Sequence, residues 1–174
     1  GPPADPVLPK AKGLNRFVWD MRHASMPGVP GVYIESSYSG HKSMPGRYSI
    51  SIINGTKTIS TTAVIVANPL YDIDTDRYKE YDKLMGNMEK ELTSMHQLVN
   101  SIYSKQGQLA ALLANLPAGD KYNKVRTEGK ILLERMKTWD EEMVQRKSKA
   151  YDDVENFPNK FTANYMFLIN QTES

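Results

Sequence analysis

Apolar residues return alternately every three and four positions at Tyr78, Tyr81, Met85, Met88, Leu92, Met95, Val99 and Ile102. After one break at Gln106 the stripe resumes at Leu109, Leu113 and Leu116. That is the a/d pattern of a helix burying one narrow seam against another helix. The pattern predicts a helix from an N-cap at Asp74 to about Asn115. Ile73 and Tyr78 stand at the staple positions, and Asp76 faces the positive end of the dipole. Gly86 and Gly107 fall inside it and mark close helix approach or slight bends. Leu116–Asp120 reads as a reversal, with Asp120 as the next N-cap. A second helix to near Ala150 then carries Tyr122, Val125, Gly129, Leu132, Met136, Trp139 and Met143 in register. A short loop between two such helices implies an antiparallel hairpin. Beyond the break at Asn156–Asn159, Phe161, Tyr165, Leu168 and Ile169 share one face of a third, shorter helix.

The chain before Pro69 alternates differently. With Pro69 itself it holds eight of the ten prolines. Tyr48, Ile50 and Ile52 point to one face of a strand, with Ser49 and Ser51 on the other. Asn54-Gly55 follows as a hairpin turn, and Lys57–Ala67 returns. The rising apolar content towards Ala67 predicts an end covered on both faces. Leu14–Asp20 and Val32–Ile34 are two further β-prone runs, with Phe17 and Trp19 in the sheet core. His23–Gly31 reads as a loop. The expected class is α+β: a small antiparallel Ig-like β domain over residues 1–70, followed by a long helical hairpin with a third helix over 71–174. The third helix reaches Ser174 without a cap, so the helical part is expected to be truncated there.

Charge adds little direction. The 22 basic and 20 acidic residues are interspersed along the helices, as on a solvated face, and form no basic stripe for nucleic acid. No run approaches the roughly 18 apolar residues of a membrane span. The absence of cysteine excludes disulfides and thiolate-bound zinc.

The motifs of bond-making chemistry are missing. There is no Gly-x-Ser-x-Gly elbow and no phosphate-cradling glycine loop. Asp72, Asp74 and Asp76 lack the glycine and glutamate of a calcium loop and read as helix capping. Asp140-Glu141-Glu142 and Asp152-Asp153 read as solvated charge rather than convergent carboxylates. His23, His41 and His96 are far apart in sequence. His96 flanks the seam and reads as a packed or surface residue, and His41 falls in the turn-rich run 36–43 and reads as solvated. No metal or cofactor site is therefore expected. Tyr33, Tyr38 and His41 form the candidate binding loop, with the two tyrosines available to stack on a sugar ring.

Gly13–Arg22, with its Asn15-Arg16-Phe17-Val18-Trp19-Asp20 core, resembles a recurrent signature of large exported bacterial proteins with sortilin-like or BNR-repeat β-propellers, often labelled glycosyl hydrolases. Pro45-Gly46-Arg47-Tyr48, the hairpin, the Asn68-Pro69 exit and the long helices follow in that family's order. In the family these elements come after the propeller, and the β part resembles the Ig-like domain of flagellar hook-capping proteins. The segment Ser39–Met44 departs from the family's Gly-Pro-Leu-Ala-like lead. The resemblance implies an exported parent whose enzymatic residues belong to the propeller. This chain would then be an accessory region for packing, spacing or assembly, with the propeller or a second copy as partner. The alternatives are a carbohydrate- or protein-binding module and an accessory part of a glycoside hydrolase.

Overall fold

The computed structural model describes residues 1–4, 6–70 and 72–173. The end at Ser174 lies outside the described residues. Two strands, β1 (Gly46–Asn54) and β2 (Lys57–Ile65), precede three helices: α1 (Thr75–Ala114), α2 (Asn123–Met143) and α3 (Phe161–Glu173). The architecture is α+β, with α1 and α2 packed antiparallel and α3 against both.

α1 begins where the sequence places it. The Asp74 carboxylate accepts the Asp76 backbone N–H at 3.1 Å and satisfies one of the donors left open at a helix start. Its 40 residues span about 60 Å. Met85, Leu92 and Val99 are fully buried, and burial of each such side chain contributes about 1.5–3 kcal/mol. Gln106, the break in the stripe, is buried too and donates through Nε2 to the Met136 carbonyl at 3.1 Å, a polar link between α1 and α2. Gly129 sits at a close approach of the two helices: a Cβ there would lie 2.6 Å from Leu113 Cδ2. A Cβ at Gly86 or Gly107 would meet open space, so these two do not mark a helix contact.

Several helical details differ from expectation. Asp120 does not cap α2; it opens a short 3-10 turn (Asp120–Tyr122) and accepts from Asn123 Nδ2 at 2.9 Å. Arg126 closes the reversal by donating to the carbonyls of Pro117 and Gly119. Leu132 is half exposed, while Met136, Trp139 and Met143 are half-buried and Leu133 takes the inward position. Seven residues of an α-helix fall about 20° short of two full turns, so the inward face drifts along α2 relative to a strict heptad. α2 stops at Met143, because Val144 is extended and buried. There Asp140 is 4% exposed and takes both Nε and Nη2 of Arg146, at 2.6 and 2.7 Å. Arg146 in turn lies 3.7 Å over the Tyr103 ring. Asp140 is thus a paired buried charge and not solvated surface. On α3 the inward residues are Thr162, Ala163, Met166 and Ile169, with Phe161 and Leu168 exposed.

The β part departs furthest. No Ig-like sandwich is seen among the described residues; one two-stranded antiparallel sheet is present. Leu14–Asp20 and Val32–Ile34 are not strands, and Phe17 and Trp19 line the surface beside β1. The hairpin loop is Gly55-Thr56, one residue later than expected, because Asn54 pairs with Lys57. Gly55 has φ +61° and Thr56 is not in the positive-φ region. That is the pattern of a type II′ turn, which needs positive φ only at its first central residue. Val64 and Val66 are exposed, so the far end of β2 is not covered on both faces.

Candidate functional site

The expected loop at 23–31 belongs to a longer strap that lies on α1. Its two legs pair in antiparallel fashion: Ser43 N–H donates to Met21 O, His23 N–H to His41 O and Met26 N–H to Tyr38 O, at 2.7–3.0 Å. Gly40 permits this pairing, since a Cβ there would sit 2.6 Å from the carbonyl oxygens of His23 and Ala24. Between the legs the strap buries Met26, Val29, Val32 and Ile34 in the same core as Met85, Leu92 and Val99. Asn170 of α3 holds its far side, accepting from Ser36 Oγ and Ser37 N and donating to Ser37 O, at 2.8–3.2 Å.

The strap covers a second, polar stripe of α1. Asp82, Glu89 and His96 recur every seven residues beside the apolar seam. His96 is fully buried and its Nδ1 meets the Pro27 carbonyl at 2.6 Å. A carbonyl only accepts, so Nδ1 carries the hydrogen. Desolvation lowers the His96 pKa below its ordinary value, partly offset by that hydrogen bond. Nε2 has no partner and keeps a bare lone pair among apolar neighbours.

Glu89 serves one residue with both oxygens: Oε1 accepts the His41 backbone N–H at 2.7 Å and Oε2 faces His41 Nδ1 at 3.0 Å. The other edge of the His41 ring turns to Asp82, with Nε2 at 3.2 Å from Oδ1. His23 stacks on His41, ring centroids 4.1 Å apart and 14° from parallel. It brings its own Nε2 to 3.5 Å from the same oxygen. Two imidazole nitrogens and one carboxylate oxygen therefore converge at the mouth of an open groove of about 430 Å³ that Glu89, Lys90 and Thr93 continue along α1. Such a set holds a shared proton or a divalent cation.

Burial within the candidate binding loop differs from expectation. His41 is 2% exposed rather than solvated, and Tyr38 is 4% exposed with its hydroxyl unpartnered. Desolvation raises the Tyr38 pKa. Neither ring is free to stack on a sugar, and Tyr33 is half-buried. Sequence reasoning passed over Asp82, Glu89 and His23. The available signal was the seven-residue recurrence of polar residues flush against the seam. Comparison with protein-family models, curated proteins and solved structures finds no match.

Proposed function

We propose that this chain is a non-catalytic structural module of a larger exported protein that carries a β-propeller, and that the β1–β2 ribbon is the face that packs on the rest of that protein. The exported parent and the propeller rest on the sequence resemblance. The observation that carries the structural role is the state of the ribbon. Ile52 and Ile59 are a direct cross-strand pair, yet they are 58% and 75% exposed. Ile50, on the same face, is exposed as well. An isolated two-stranded hairpin is marginal in water, and a contiguous apolar patch rimmed by polar groups marks an interaction surface. The helices and strap already have their own core, so the ribbon is left for a partner. A two-stranded sheet with an exposed apolar face suits packing on β structure, as a propeller offers.

The test expresses the propeller and this chain separately and measures their association by sedimentation. A complex that forms with the native chain and is lost in the Ile52→Asp, Ile59→Asp double variant supports the reading. A propeller that neither binds the chain nor changes in stability or turnover without it overturns the reading. A second reading, recognition of carbohydrate or protein, draws on the groove between Phe17, Trp19, Ile50 and Ile52, where Trp19 meets Tyr48 edge-on at 5.8 Å. Calorimetry against a panel of polysaccharides tests it, and flat traces across the panel count against sugar recognition.

A further inference from the structure

We propose that His23, His41 and Asp82 bind a divalent transition-metal ion of the zinc class, which pins the strap to α1. This goes beyond the structural role above and does not depend on the partner of the ribbon.

Glu89 orients the His41 ring. Both oxygens of Glu89 are taken up by this one residue. A carboxylate accepts only, so Nδ1 is the protonated nitrogen. A neutral imidazole has one N–H, so in that form Nε2 turns a lone pair towards Asp82 Oδ1 at 3.2 Å, where it is placed to ligate. His23 Nε2 points at the same oxygen from 3.5 Å, a third atom with acceptor capacity. Ring N–H groups directed at Asp82 satisfy these contacts, and so does one cation bound by all three atoms.

The dimensions fit. Zinc binds nitrogen and oxygen at about 2.0–2.2 Å, so the edges of its coordination tetrahedron are about 3.3–3.6 Å. The two edges to Asp82 Oδ1 are 3.2 and 3.5 Å, and the three ligand atoms all lie within 4.8 Å of one another. His23 stacks on His41 with the rings 14° from parallel, so His23, the most exposed ligand, must swing about its side-chain bonds to aim Nε2 at the shared ion. Two imidazoles and one carboxylate suit zinc, nickel or cobalt rather than calcium or magnesium, which take oxygen shells. Glu89 supplies what a ligating histidine needs behind it: a carboxylate on the far ring nitrogen, fixing the tautomer and aiming Nε2. The groove leaves the fourth position open to water. Bound there, the ion joins two strap residues to α1 and stabilises the folded chain by mass action. The site is also separable from other histidine chemistry. The chain has three histidines, and His96 is fully buried against Pro27.

The test uses the full, tag-free chain after treatment with a chelator. Zn²⁺ is titrated by calorimetry and Co²⁺ by visible absorption, and melting is followed with and without Zn²⁺. The expected result is one ion per chain, a cobalt d–d band, and a Zn²⁺-dependent rise in Tm that the chelator reverses. His23→Ala and Asp82→Asn change partly exposed side chains and keep the helical circular dichroism, yet each weakens binding at least tenfold and abolishes the Tm rise. Glu89→Gln, a positioning residue, weakens binding about 10–100-fold and shifts the cobalt band. Absence of saturable binding by the native chain, or an affinity unchanged in both His23→Ala and Asp82→Asn, overturns the proposal.

Discussion

The helical body and the β-ribbon have similar apolar side chains and opposite fates. Met85, Leu92 and Val99 on α1 share one buried core with side chains of the strap, of α3 and of the C-terminal end of α2. Ile52, Ile53 and Ile59 on the ribbon face water. β-branched residues at alternating positions and the Gly55 turn specify the ribbon's pairing, although a lone hairpin is only marginally stable. Burial is another matter, since a hairpin has no second layer unless another element supplies one. The comparison teaches that local pattern decides which element forms, while long-range packing decides whether it is a core or a surface.

Substitutions make that difference measurable. The largest effect is expected for Leu92→Asp, which places an unpaired charge in the core and costs at least about 4 kcal/mol. Loss of the cooperative thermal transition checks this. The matching Ile52→Asp in the isolated chain shifts stability by no more than about 0.5 kcal/mol, as exposed substitutions do. Equal losses from the two would erase the distinction. Next comes Arg146→Ala, which strands the buried Asp140 carboxylate and costs about 3 kcal/mol, read from denaturant unfolding.

A smaller effect follows from His96. Its folded pKa is depressed, so the unfolded chain takes up a proton that folded His96 does not. Its contribution is complete above the unfolded value of about 6.5 and is lost as pH falls from there towards the folded pKa. His96→Gln keeps a side-chain amide donor opposite Pro27 and removes the titration. The difference in unfolding free energy between pH 7.5 and 5.5 should therefore be smaller in the variant. The smallest effects belong to glycine. Gly107→Ala, into open space, stabilises by about 0.5–1 kcal/mol, whereas Gly129→Ala gains less, because Leu113 must move first.

The long helices were legible because periodicity is a local property. The N-cap at Asp74, the stripe through Met85, Leu92 and Val99, and the antiparallel return all follow from spacing alone. The inward faces of α2 and α3 were harder to read: Leu132 and Leu168 face solvent, since apolar identity does not say which residues a neighbour covers. The converging histidines were not legible as a site. His41 lies 41 residues from Asp82 and 48 from Glu89, and only the strap's path over α1 joins them. Polar residues beside a seam read as solvated flank until something lies on top. The extra β layer of a sandwich was inferred from β-prone runs at Leu14–Asp20 and Val32–Ile34. Those runs are spent differently, the first along the outside of β1 and the second in the strap's contribution to the helical core.

Hydrogen exchange of the isolated chain, followed peptide by peptide by mass spectrometry, tests the central claim most directly. Amides of α1 between Met85 and Gln106 and of the strap should open only with global unfolding, while those of β1 and β2 exchange orders of magnitude faster. A ribbon as strongly protected as α1 would contradict the account, because it would show the hairpin to be part of the same folded core.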